Sequence, residues 1–171
     1  KKKDLFAKEG LVIVSLSWIV VSAIGALPFV ISGEIPSYAD ALFETVSGFT
    51  TTGSSILSDV EALGKAALFW RSFTHWIGGM GVLVFLTAIT SNTDKSINIL
   101  RAEMPGPSVD KIVPRAKDTA RILYLMYVGL TAVCVIMLLC GGLSPFESLV
   151  YSFGAAGTGG FGVKADSIAG C

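Results

Sequence analysis

Thr50-Thr51-Thr52-Gly53-Ser54-Ser55 and, 107 residues further on, Gly157-Thr158-Gly159-Gly160-Phe161-Gly162 are two short polar loops in an otherwise apolar chain. Sliding the sequence on itself by that offset, without gaps, lays Ser37 on Ser144, Leu42 on Leu149, Thr51 on Thr158, Gly53 on Gly160 and Asp59 on Asp166. An internal repeat is therefore present, and its unit reads as helix, short helix, polar loop.

Working outward from the loops, the charges set the environment. Only 15% of the residues are charged, the 13 basic and 13 acidic side chains cancel, and the mean hydropathy is +0.68. The charges leave three long gaps, between Glu9 and Glu34, between Arg71 and Asp94, and between Arg121 and Glu147. About 20 helical residues cross a hydrocarbon core of about 30 Å, so each gap is long enough for a membrane span. The first apolar run, Leu11 to Ser32, is too long for the core of a signal peptide. Pro28 and the polar Ser15, Ser17 and Ser22 also interrupt it, and it is expected to be a true span.

Ten of the 13 lysines and arginines lie in the N-terminal tail or between Asn92 and Arg121, which places both on the cytoplasmic side. The two loops then face outward. Around them Glu34, Asp40, Glu44, Asp59, Glu61, Glu147 and Asp166 outnumber Lys65, Arg71 and Lys164, a vestibule that would concentrate cations. Arg71 is expected to mark the outer end of the second span, with a bond to loop carbonyls open to it. Cys134 and Cys140 are six residues apart in one apolar helix and read as packing residues.

Ser37 to Phe49 is a helix candidate too short to cross. Ser37 with Asp40 reads as a capping box, and the equivalent Ser144-Pro145-Phe146-Glu147 adds proline at the first helical position. Irregular backbone at membrane depth must line protein or a water-filled cavity, because lipid supplies no hydrogen-bond partner. Glycine allows successive carbonyls to point one way, and threonine adds a hydroxyl. The short helix turns the negative end of its dipole toward the loop. Together these favour a dehydrated monovalent cation. Glu44, in the short helix, is expected to anchor the loop from behind by accepting backbone or hydroxyl hydrogen bonds.

Three other readings fail on context or explain less. Gly157-x-Gly159-x-x-Gly162 matches a dinucleotide fingerprint but follows an apolar helix rather than a strand. Ser47-Gly48 and His75 suggest an intramembrane serine protease, yet position 45 is threonine where that motif needs glycine, and His75 reads as an interfacial or packing residue. Gly78-Gly79-x-Gly81 would suit a helical scaffold, but close approach around a pore accounts for it equally well.

Thr158-Gly159-Gly160-Phe161-Gly162 looks like a relaxed potassium-channel filter, and Thr51-Thr52-Gly53-Ser54-Ser55 keeps its central glycine. With Ala41 to Gly53, Phe69-Trp70-Arg71, Trp76-Ile77-Gly78-Gly79-Met80-Gly81 and Arg101 to Pro107, the chain resembles the TrkH/TrkG/KtrB/HKT superfamily of potassium transporters, most closely bacterial TrkH. The resemblance implies an all-α membrane protein of repeated helix, pore helix, filter loop and helix units, like a potassium channel. It implies four repeats around one pore in a multi-pass protein of the inner (cytoplasmic) membrane. It also implies a homodimer of the full-length protein on a cytoplasmic, nucleotide-binding TrkA-like ring.

On this reading residues 1–9 are a cytoplasmic tail and 10–92 the first pore repeat, with an inner helix over Ala66 to Ser91. Residues 93–115 are a cytoplasmic linker, and 116–171 a second repeat that stops after its filter, so that this stretch alone should insert without conducting. Backbone carbonyls of Thr50, Thr51, Thr52 and Gly53, and of Gly157, Thr158, Gly159 and Gly160, would form two of four filter strands for K+, with Glu44 as support. The partners implied are the lipid membrane and the remaining repeats, with no nucleic acid. The transported potassium is the only ion implied, no resident cofactor is, and the protein is not an enzyme. The alternatives kept open are a non-conducting helical scaffold and a small dimeric cation channel.

Overall fold

The structure, a computed structural model, describes residues 7–81 and 116–164, and all regular secondary structure among them is helical. Among the described residues there are six helices: α1 Ala7–Gly25, α2 Leu27–Ile31, α3 Tyr38–Phe49, α4 Lys65–Met80, α5 Ala116–Cys140 and α6 Pro145–Ala156. The chain divides into two compact units, residues 1–20 with 80–128 and residues 21–79 with 129–171. The second unit contains α3, α6 and both polar loops.

The repeat seen in the sequence is repeated in the backbone. α3 and α6 have the same length, 12 residues, and begin and end at the same 107-residue offset. Ser37 and Ser144 are their N-caps, with extended backbones (φ −76°, ψ 118° and φ −62°, ψ 154°) and side chains that accept from the N–H three residues on. Only Ser144 closes the reciprocal box, because Glu147 returns its carboxylate to the Ser144 N–H at 3.1 Å. The expected box at Ser37 is half-formed. Asp40 is one methylene shorter than a glutamate, and the contact there is the single bond from its N–H to Ser37 Oγ.

One expected span is corrected. The first is not one helix: α1 ends at Gly25 and α2 begins at Leu27, with Pro28 at its start unable to donate to the preceding turn. Side chains serve the backbone beside the break, Tyr38 Oη donating to the Ala23 carbonyl at 3.0 Å and Trp70 Nε1 to the Gly25 carbonyl at 2.9 Å. Of the inner helix expected over Ala66 to Ser91, the described part is α4, Lys65–Met80, after which Gly81 turns left-handed with φ 68°. Among the described residues one helix, Arg121–Cys140, is long and apolar enough to cross a membrane, while the apolar helical stretch Ser15–Ile31 falls short. Residues 82–91 and the basic segment and linker up to Arg115 lie outside the described residues.

Outward faces of α1 and α5 are apolar. Val12, Leu16, Ile19, Val20 and Ile24 on α1, and Leu125, Leu130, Val133, Ile136 and Met137 on α5, are all more than half exposed at helical spacing. Such stripes suit a lipid environment. In lipid, apolar burial between helices brings little net gain, so close approach and interhelical hydrogen bonds must hold the fold, the latter at roughly 0.6 kcal/mol each. The second unit is built that way around α4. One face of α4 lies on α3, where Gly78 meets the Phe49 carbonyl and Thr74 meets Gly48 with no room for a β-carbon. Another meets α6 through Phe69, Phe73 and Trp76, whose rings lie 5.9, 5.7 and 5.5 Å from that of Phe153. Trp76 Nε1 also donates to Thr131 Oγ1 at 3.1 Å. Ala26, Phe29, Ile35, Ala41, Leu63, Ala67 and Leu68 fill the core between α2, α3 and α4.

Candidate functional site

Both loops leave their short helices by the same backbone route. Thr50 and Gly157, the C-caps, have φ −81° and −74°; Thr51 and Thr158 are left-handed at φ 55° and 60°; Gly53 and Gly160 are left-handed again at 76° and 81°. Among the described residues, Thr51 and Thr158 are the only non-glycine residues with positive φ. A left-handed L-residue costs roughly 1–2 kcal/mol, so an identical strain twice, at the same offset, belongs to what the loops do.

The N–H groups of the loops turn back onto the short helices. Thr50, Thr51 and Thr52 donate to the carbonyls of Val46, Gly48 and Ser47 at 2.9, 3.0 and 3.0 Å. Gly157, Thr158, Gly159 and Gly160 donate to Phe153, Ala155 and, twice, Gly154 at 3.0 to 3.2 Å. Among the described residues no hydrogen bond reaches the carbonyl of any of Thr50 to Gly53 or Gly157 to Gly160. Seven of the eight donors are spent and the acceptors are left over. Thr50 Oγ1 donates to Val46 O at 2.7 Å, so the 2.8 Å contact between the Thr50 and Thr52 hydroxyls uses the Thr52 proton.

The loops also touch. A β-carbon on Gly53 would fall on the Gly159 carbonyl oxygen, and one on Gly159 would fall on the His75 ring. All eight residues singled out in the sequence thus sit on two strands of like conformation, with Gly53 of one against Gly159 of the other. Both strands border a cavity of about 290 Å³ whose lining includes Gly53, Ser55, Arg71, Gly160 and Lys164.

Glu44 lies behind the first loop with no exposed surface. Its carboxylate accepts from Ser55 Oγ at 3.0 and 3.2 Å and from the Ile56 N–H at 3.1 Å, and pairs with Arg71 Nε. Glu44 thus accepts the hydroxyl and backbone bonds expected of it but, buried and paired, adds no charge to the outer vestibule, and Arg71, 4% exposed, makes the loop-carbonyl bond that was open to it. Removing one member of such a buried pair costs roughly 3–5 kcal/mol, since the other is left uncompensated. Arg71 also donates from Nη1 to the Gly162 carbonyl at 3.4 Å, and its guanidinium lies 3.6 Å from the centre of the Phe161 ring. His75, one turn along α4, stacks on the same ring at 3.9 Å and accepts from the Phe161 N–H at Nδ1. From the sequence His75 reads as an interfacial or packing residue, and Phe161 only as one position of the filter-like motif. The only signal available was the spacing of Arg71 and His75 by four, which puts them on one helix face.

Strands of this kind, carried on short helices in an all-helical membrane fold, define the channel-like class of cation transport proteins. Residues 1–170 match the family described as TrkH, cation transport protein, and the chain belongs to that family, which is one of transporters and not of enzymes. The Trk system potassium uptake protein TrkH of Escherichia coli K12 is 41% identical over 98% of this chain and 35% of its own length. TrkG of the same organism is 36% identical over 96% and 35%. The crystal structure of the potassium transporter TrkH from Vibrio parahaemolyticus superposes with a TM-score of 0.74 at 35% identity, covering 95% of this chain and 32% of that one. The chain spans about a third of the length of these relatives.

Proposed function

We propose that this chain supplies two strands of a potassium-selective filter to a TrkH-family transporter that takes up K+ across the cytoplasmic membrane. The observation that carries the reading is the set of eight loop carbonyls that accept no hydrogen bond among the described residues, on backbones where seven of the eight N–H groups donate back to the short helices. Alternating signs of φ bring successive carbonyls to one side, and acceptors at membrane depth need a partner. A dehydrated potassium ion is that partner, and carbonyl oxygens replace its water shell. Glu44 holds the first strand from behind.

The domain boundaries follow from the same reading: a cytoplasmic tail over 1–9, a first pore repeat over 10–92, a cytoplasmic linker over 93–115 and a second repeat from 116. Dimerisation and a TrkA-like cytoplasmic ring are proposed for the full-length protein on the strength of the family. The test is rubidium, a potassium substitute that scatters anomalously. In crystals of the full-length protein grown with rubidium, anomalous density should lie between Thr51–Gly53 and Thr158–Gly160. Rubidium density elsewhere in the molecule and none between these loops would refute the assignment.

A further inference from the structure

We propose that Arg71 is a positioning residue that ties the two strands together, and that the spacing of the filter depends on its planar guanidinium. The proposal rests on the filter reading above and goes beyond it, since that reading needs only Glu44 behind one strand. Arg71 makes three contacts in three directions. Its Nε edge meets the Glu44 carboxylate, which in turn holds Ser55 and Ile56 just past the first strand. Its Nη1 meets the Gly162 carbonyl just past the second. Its flat face covers Phe161, which also stacks on the His75 ring.

The repeat explains why one side chain reaches both. Ser55 and Gly162 occupy the same place in their repeats, as do Glu44 and Tyr151. The first repeat holds that place with a carboxylate. In the second, Tyr151 packs against Gly162 and Arg71 of the first repeat supplies the polar contact, so the strands share a support. A lysine could neutralise Glu44, but a point charge on a flexible stem cannot also stack on Phe161 and bond Gly162 from the same plane.

The test uses the full-length transporter in a host lacking its own potassium uptake, reading the ratio of potassium to sodium uptake for protein normalised to its amount in the membrane. Arg71→Lys and Phe161→Leu should each lower the ratio roughly five- to tenfold, and together no further than either alone, because they break one support. Phe161→Tyr, which keeps the ring face, should stay within about twofold of the parent, a rescue that loss of packing alone does not predict. For a variant that accumulates poorly, protection of the purified protein against heat by rubidium relative to sodium gives the same comparison per folded molecule. Gly53→Ala is measured alongside. If it lowers the ratio while Arg71→Lys and Phe161→Leu do not, the shared support is refuted and the filter stands. If none of the three lowers it, the filter reading itself has failed.

Discussion

Gly33 and Gly53 form a matched pair that isolates the contact between the loops. Both have φ +76°, so alanine at either position carries the same backbone penalty, roughly 1–2 kcal/mol, less a few tenths regained from the stiffer unfolded chain. Their surroundings differ. A β-carbon at Gly33 has nothing within 4 Å, whereas at Gly53 it lands on the backbone oxygen of Gly159. To restore an ordinary carbon–oxygen distance one strand must retreat by about an ångström or more, and a backbone carbonyl cannot rotate away as a side chain would. Taking one carbonyl out of reach of a cation forfeits an interaction of hydrogen-bond strength to a charged group, roughly 1.5–3 kcal/mol. That is roughly a 10- to 150-fold loss of potassium preference. In full-length protein expressed in a host lacking potassium uptake, Gly33→Ala should transport with the parent's potassium-to-sodium ratio, and Gly53→Ala should not. Equal ratios for the two variants at equal membrane levels would refute the argument.

Three further outcomes are expected. Single cysteines placed at Asp59 and Lys95 in a cysteine-free background should react with an impermeant reagent in intact cells only at position 59; labelling at position 95 would invert the proposed topology. Ser144→Ala should lower the thermal stability of the purified protein by about 1 kcal/mol, more than Ser37→Ala, because only Ser144 belongs to a closed box. The Ser144 hydroxyl, followed by its N–H, holds the Glu147 carboxyl below the ordinary carboxylate range. The stabilisation from Glu147 is therefore complete above the unfolded-state pKa and lost as pH falls through the lowered folded value. The excess cost of Ser144→Ala over Ser37→Ala should shrink on acidification, and an excess that grew would contradict the linkage.

The short helices were the most legible part of the fold, since each carries a serine cap and an exact offset, both local signals. The breaks were not. Pro28 is visible in the sequence, but that the chain stops one helix and starts another there depends on Tyr38 and Trp70 arriving to serve the carbonyls beside the break, 15 and 45 residues away. Gly81 belongs to a run of glycines that packing also explains, and only its φ marks it as an end. At the site, threonine and glycine announced a loop lined with oxygen, and a lone glutamate in an apolar helix announced a buried acceptor. Its partner could not be read, because the contact between Arg71 and Glu44 spans 27 residues and carries no periodic signature. Phe161 was hidden for the same reason, 86 residues from the His75 nitrogen that holds its N–H.

That separation also fixes an order of events during synthesis. Glu44, Ser55 and Arg71 all emerge within one repeat, so the first strand can find its carboxylate and the carboxylate its guanidinium while the second strand does not yet exist. Gly162 follows Arg71 by 91 residues, which at about 5–20 residues per second is roughly 5 to 20 seconds of elongation. For that interval the face of the guanidinium and the ring of His75 have no Phe161 to cover them. Phe161 and Gly162 therefore reach His75 and Arg71 only after the first strand, its carboxylate and its guanidinium have all been made.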